Sequence, residues 1–139
     1  MALIQKSLRI PKKVANEIEK IAKEENKDFS NVTNELLEEA VKIHRCPGIV
    51  FTEGVKGKRP RIAGSGLEVW EVIAAYQGVG KSFNRLRRAY HWLTEQQLRA
   101  ALGYYHAYPE EIDALIIKNK AWTVEQVRRK YPFLVFDRE

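Results

Sequence analysis

Ala75-Tyr76-Gln77-Gly78-Val79-Gly80-Lys81-Ser82 carries glycine, lysine and serine at the spacing of a nucleotide-binding phosphate loop in its looser spelling. In such a loop, backbone N–H groups and a helix N-terminus converge on phosphate oxygens, while the lysine adds charge and the serine holds magnesium. That chemistry needs a buried strand running into the loop. Here Val69, Val72, Ile73 and Tyr76 recur at helical spacing, so a helix is predicted to enter it. The stretch therefore reads as a turn, with Gly78 as the left-handed cap of one helix and Ser82 as the cap of the next.

The remaining candidates for chemistry are few. His44-x-Cys46 offers two metal ligands at most, and His91 and His106 have no companions at metal spacing, so neither a metal nor a cofactor is expected. No Ser/His/Asp or Cys/His arrangement is present, no acidic cluster sits on a strand-helix frame, and an enzyme is not expected. Cationic residues are more suggestive. Lys58, Arg59 and Arg61, with Lys56, make a dense patch on a short hairpin. Arg85, Arg87 and Arg88, with Lys81, lie on or near the second helix of a helix-turn-helix. Both sets read as secondary contacts to DNA or a partner, or as solvated basic faces.

The chain has 139 residues and a net charge of +6, enough for one compact domain or two very small ones. Residues 1–45 carry 9 basic and 8 acidic side chains, 46–108 carry 9 and 4, and 109–139 carry 6 and 6, so the excess lies in the middle. Such a balance favours a polyanionic partner. No apolar run reaches the length of a membrane span and the first residues lack a signal-peptide core, so no membrane association and a cytoplasmic location are expected. A single cysteine, Cys46, suits a reducing compartment.

In residues 1–45, Ile4, Leu8 and Ile10 alternate with Gln5, Ser7 and Arg9, which predicts one strand with Lys6 on its inner face, stopped by Pro11. Val14, Ile18 and Ile21 mark a first amphipathic helix to about Glu25, and Asn26 to Asp28 form the turn. Ser30 is expected to cap a second helix bearing Val32, Leu36, Leu37, Ala40, Val41 and Ile43. A lone strand cannot satisfy its backbone groups, and 45 residues bury too little to stand alone. The simplest partner is the same strand of a second copy, antiparallel across a two-fold axis, in an intertwined homodimer. One face of that ribbon packs Leu8 and Ile10 on the helices, and the other displays Gln5, Ser7 and Arg9 from each chain.

From Pro47 onward, extended pieces are predicted at Ile49 to Glu53 and Arg59 to Ala63, followed by helices at about 67–77, 82–90, 94–106 and 110–118. Thr94 to Gln97 is a capping box. The segment 82–93 aligns without gaps on 123–134, pairing Phe83, Leu86, Tyr90 and Leu93 with Val124, Val127, Tyr131 and Leu134. Residues 119–122 of the second copy hold no phosphate-loop chemistry, which makes Gly78 to Lys81 turn residues. Trp70, Tyr76, Tyr90, Trp92, Tyr104 and Tyr105 are expected in the core. The run Tyr131 to Phe136 is expected to fold back on its own domain or to wait for a partner.

Residues 3–45 resemble the ribbon-helix-helix repressors of the MetJ and Arc type, through Ser7-Leu8-Arg9-Ile10-Pro11, the Val14/Ile18/Ile21 stripe and Phe29-Ser30-Asn31. The resemblance implies that Gln5, Ser7 and Arg9 read base edges in the major groove of operator DNA, and that Ser30 and Asn31 clamp phosphates. Residues 48–113 resemble the small helical family called domain of unknown function 433, found in many VapB-like antitoxins. The carriers are Gly57 to Gly64, Val69-Trp70-Glu71-Val72, Leu93-Thr94 with Leu98, Ala101 to Tyr105, and Pro109 to Asp113. That resemblance implies a homeodomain-like fold and a neighbouring PIN-like ribonuclease toxin.

The expected architecture is mainly α: a ribbon-helix-helix dimerisation and DNA-binding domain at 1–45, then a helical, homeodomain-like, antitoxin-like domain at 46–139 with a short β-hairpin. The expected function is a sequence-specific transcriptional regulator, the antitoxin and autorepressor of a toxin-antitoxin pair, acting as a homodimer or a higher assembly. The alternative is a stand-alone regulator whose second domain binds a ligand or an unrelated protein.

Overall fold

The computed structural model describes residues 2–54 and 57–120. The described residues form six helices and one two-stranded antiparallel hairpin, divided between two compact units that meet in sequence at Arg45 and Cys46. The second copy of the repeat, the run 131–136 and Lys56 lie outside the described residues.

In the first unit, residues 2–11 have no regular secondary structure, and two helices follow, α1 (Lys12–Glu25) and α2 (Phe29–Arg45). Asn26 closes α1 in the left-handed conformation, φ 55°, which asparagine tolerates better than most side chains. The cap of α2 differs from the sequence expectation. Asp28 accepts a hydrogen bond from the Asn31 N–H at 2.7 Å, and Ser30 lies one step inside the helix. Aspartate precedes the first apolar helical residue, Phe29, and its carboxylate reaches the third orphan N–H from there. The two helices meet through Ile18, Ala22 and Val32, with Ile21, Phe29 and Leu36 packed around them.

The second unit opens with β1 (Ile49–Gly54) paired to β2 (Gly57–Ile62). Ile49 lies opposite Ile62, and both are buried. Gly48 precedes the hairpin with φ 92°, a conformation that favours glycine, and a Cβ there would come within 3.2 Å of the Ala100 side chain, a tight contact. Four helices follow: α3 (Val69–Gly78), α4 (Phe83–Ala89), α5 (Glu95–Ala107) and α6 (Pro109–Lys120). Val69, Val72 and Ile73 of α3, Leu86 of α4, Leu98, Ala101 and Tyr104 of α5, and Ile112 and Ile116 of α6 close one core with the hairpin isoleucines.

The capping box of α5 is complete. Gln97 N–H donates to Thr94 Oγ1 at 3.1 Å and Thr94 N–H to Gln97 Oε1 at 2.9 Å. Gln97 Nε2 also donates to the Ala63 carbonyl at 3.1 Å, which ties the start of α5 to the end of the hairpin. Tyr104 is fully buried; its hydroxyl donates to the Glu111 carboxylate at 2.9 and 3.0 Å, and its ring meets Phe51 edge-on and Tyr108 at a tilt. Burial and the adjacent Glu111 carboxylate push the Tyr104 hydroxyl far above the ordinary tyrosine value.

The turn with the phosphate-loop spelling joins two helices, α3 and α4, so a helix enters it, as the spacing predicts. Ser82 caps α4, accepting from the Arg85 N–H at 3.3 Å. The left-handed residues are not where the sequence placed them. Gly78 ends α3 in helical conformation, while Gly80 (φ 67°) and Lys81 (φ 58°) turn the chain. Two residues must reverse direction here, and the helix needs one more position to satisfy Val79 N–H on the Ala75 carbonyl.

Lys81 holds a conformation that glycine adopts without strain. Lys81→Gly is expected to raise stability by about 0.5–1 kcal/mol, the relief at φ 58° partly offset by greater freedom of the unfolded chain, as read by thermal and urea unfolding. Tyr104→Phe keeps the ring and removes the hydroxyl from Glu111, an expected cost of about 1.5–3 kcal/mol; Tyr104→Ala also empties the core and should cost about 3–5 kcal/mol in the same experiment.

Candidate nucleic-acid interface

The residues expected to read DNA occupy the segment before α1 that has no regular secondary structure. Gln5, Ser7 and Arg9 are all exposed, and none makes a hydrogen bond or ion pair with another described residue. Within the single chain Leu8 is 69% exposed, and Leu3 and Ile4 are exposed as well. Ser30 and Asn31 are exposed in the first turn of α2, but the Asn31 N–H is already taken by Asp28, which also brings a carboxylate to that helix end.

The helices show a second unfilled requirement. Phe29, Val32 and Leu36 of α2 face α1, while Leu37, Ala40 and Val41 form another apolar stripe that is exposed, as are Val14 of α1 and Ile43 of α2. A helix with apolar stripes on two sides is built to be covered on both.

In the second unit the hairpin cations are mostly committed. Arg59 is only 8% exposed and pairs with Glu68 at 3.4 Å, so it is a structural residue and not a surface contact. Arg59 lies opposite Thr52 across the hairpin, and Glu68, just before α3, takes its guanidinium. Arg61 donates to the Gly66 carbonyl at 3.0 Å and pairs by backbone with Glu68 in an isolated bridge; it too is partly buried. Lys58 is exposed. Among the hairpin cations named from sequence, the fold withdraws both arginines. Near them, desolvation pushes the Glu71 carboxyl above its usual value, with the charge of Glu68 adding to it and Arg61 opposing.

Helix α4 does the opposite. Leu86 is fully buried, and Arg85, Arg87 and Arg88 are exposed around it. The guanidinium groups of Arg85 and Arg88 make no ion pair or hydrogen bond with another described residue. Next to them the core expectation for Trp92 fails. Leu93 takes the buried position, and Trp92 stands 61% exposed, touched edge-on by Tyr90 and His91. The signal lay in the sequence: Leu86, Tyr90 and Leu93 keep the 4-then-3 spacing of one stripe, and Trp92 falls off it. Asn84, Arg87, Arg88 and His91 border an open concavity of about 450 Å³ floored by Leu93. No group of three or more metal-capable side chains occurs among the described residues, and no described helix is long and apolar enough to cross a membrane.

Residues 49–105 match the family described as protein of unknown function DUF433. A DUF433 member protein from Anabaena variabilis, solved by crystallography, is 31% identical to this chain; the alignment covers 78% of this chain and 99% of that one, with a TM-score of 0.43. The chain belongs to the DUF433 family by sequence, through residues of its second unit. No curated protein matches it.

Glu71 supplies a pH test of the hairpin end. A carboxyl whose folded value is raised holds more protons in the folded state, so its contribution is intact in acid and is lost as pH rises through the raised value. Glu71→Gln removes that loss. Its midpoint of thermal unfolding should exceed that of the parent at pH 7 and converge on it below the ordinary glutamate range.

Proposed function

We propose that the chain is a sequence-specific DNA-binding regulator whose first unit dimerises as a ribbon-helix-helix and reads operator DNA with Gln5, Ser7 and Arg9. The support is the distribution of apolar surface in the first unit. Among the described residues Ile18, Ala22 and Val32 form its buried cluster, while Leu8, Val14, Leu37 and Val41 are exposed. Forty-five residues with so small a core need a second copy to fold stably. Antiparallel pairing of residues 4–10 across a two-fold axis covers Leu8 with the exposed stripes of α1 and α2 and turns Gln5, Ser7 and Arg9 outward together. A polar two-stranded ribbon fits the major groove, where an arginine can contact guanine through two hydrogen bonds.

Phosphate contacts at the start of α2 rest on the N–H groups of Phe29 and Ser30, because Asp28 occupies that of Asn31. Membership of DUF433, together with its resemblance to antitoxin domains, supports an autorepressor that also restrains a PIN-like ribonuclease through its second unit. Residues of that unit would then be sufficient for the restraint.

Leu8→Ala and Arg9→Ala separate the two roles of the segment. Leu8→Ala removes apolar surface from the shared core, costs about 2–5 kcal/mol, and should dissociate and unfold the first unit in sedimentation and circular dichroism. Arg9→Ala should leave a folded dimer that loses about 1–3 kcal/mol of discrimination per contact, twice per dimer, against the protein's own promoter. Binding to random DNA, carried by phosphates, should fall much less. An Arg9→Ala dimer that still separates its operator from random DNA as well as the parent does would reject the ribbon as the reading head.

A further inference from the structure

We propose that the exposed face of α4, with the Tyr90-His91-Trp92 turn that follows it, binds single-stranded nucleic acid, independently of the duplex-reading ribbon. Three observations converge on this face. Arg85 and Arg88 lie three residues apart on one side of α4, exposed, and their guanidinium groups make no ion pair or hydrogen bond with another described residue. Arg87 approaches Glu95 only at 4.0 Å, and that carboxylate is already held by Arg99 at 2.9 and 3.0 Å. Among the described residues the cationic face is therefore compensated only by this distant Glu95 contact, within the segment that holds the chain's basic excess, 9 basic against 4 acidic side chains over 46–108.

The second observation is Trp92. Tyr90 at 5.3 Å and 64°, and His91 at 5.2 Å and 88°, brace its ring edge-to-face, so neither stacks on it and most of the indole stays in solvent. The third is shape: Asn84, Arg87, Arg88 and His91 border an open concavity beside it. Guanidinium groups that can fork onto phosphates, next to an indole that can stack on a base, are the two components of single-strand recognition. A duplex keeps its bases stacked on one another and has no use for the indole. An acidic peptide would satisfy the arginines and leave the indole unmatched. Helix α5 offers no comparable surface, since its exposed Arg99 is tied to Glu95 and lies over the Phe83 ring at 4.6 Å.

The test uses the full chain carrying Arg9→Ala, so that the ribbon's base readout is removed and only its phosphate contacts remain, and follows the anisotropy of a labelled oligothymidine. The expected result is tighter binding of this strand than of a duplex of equal length. Adding Trp92→Ala should weaken it about tenfold, and Trp92→Tyr should restore most of the loss, because a base stacks on phenol as it does on indole. Adding Arg85→Ala and Arg88→Ala should lower the slope of log affinity against log salt by about 1.4, two phosphate contacts on a single strand. Circular dichroism should be unchanged in all variants, since these side chains are exposed. Equal affinity for strand and duplex with no effect of Trp92→Ala would overturn the proposal in favour of a nonspecific basic surface. Competition by polyglutamate as effective as by unlabelled strand would overturn it in favour of an acidic protein partner. Failure of the ribbon reading shows instead in the parent chain's duplex titration, which this experiment does not use.

Discussion

A buried tyrosine hydroxyl organises the second unit. Tyr104 sits in the last turn of α5 with no exposed surface, and a phenol in that position is tolerable only if its O–H finds an acceptor. Glu111 on α6 provides one with both carboxylate oxygens, and Phe51 of the hairpin and Tyr108 after α5 meet the ring. One side chain thus sets the placement of α6 and β1 on α5. Tyr105, its neighbour, repeats the device at the surface by donating to Asp113 at 2.8 Å and accepting from Gln77 of α3 at 3.5 Å. With α5 held, Gln97 at its start can hold the hairpin end through Ala63, and Leu98 and Ala101 receive α3.

Helix α4 exists because of that framework. Seven residues are too few to stay helical by themselves, since one costly nucleus is shared over a single turn or two. Its hold comes from Leu86 in the core and Ser82 at its start, and neither restricts the arginines around it. The same packing that buries Leu93 turns Trp92 outward. A basic and aromatic surface is therefore a consequence of how a very short helix is anchored. The hairpin shows the reverse outcome for the same residue type, because Glu68 lies where Arg59 can be neutralised as it is buried.

The first unit is governed by a deficit. Its two helices satisfy each other along one stripe apiece and leave further apolar residues uncovered. Local signals there are consistent with one another: a left-handed Asn26 ends α1, Asp28 begins α2, and Lys27 bridges the turn to Glu35 at 3.1 Å. The helix pair is thus well specified as secondary structure while several of its apolar side chains stay exposed within the single chain.

Helix positions, the hairpin, the capping box at Thr94 and the helical entry to the Lys81 turn were all legible in the sequence, because each depends on residues within one or two turns of each other. The finer caps were read two positions away, Ser30 for Asp28 and Gly78 for Gly80, since several residues in each turn could serve and the choice depends on which backbone groups remain unpaired. Four arginines on a hairpin and a short helix looked alike as a string of letters. Only the tertiary structure separated them, burying Arg59 against Glu68, half-burying Arg61 at Gly66, and leaving Arg85 and Arg88 in solvent. Trp92 was likewise assigned to the core by its chemistry and placed outside by Leu93. Periodicity reports which residues share a side of one element, whereas burial depends on which element lies against that side, and that is decided by contacts between residues far apart in the chain.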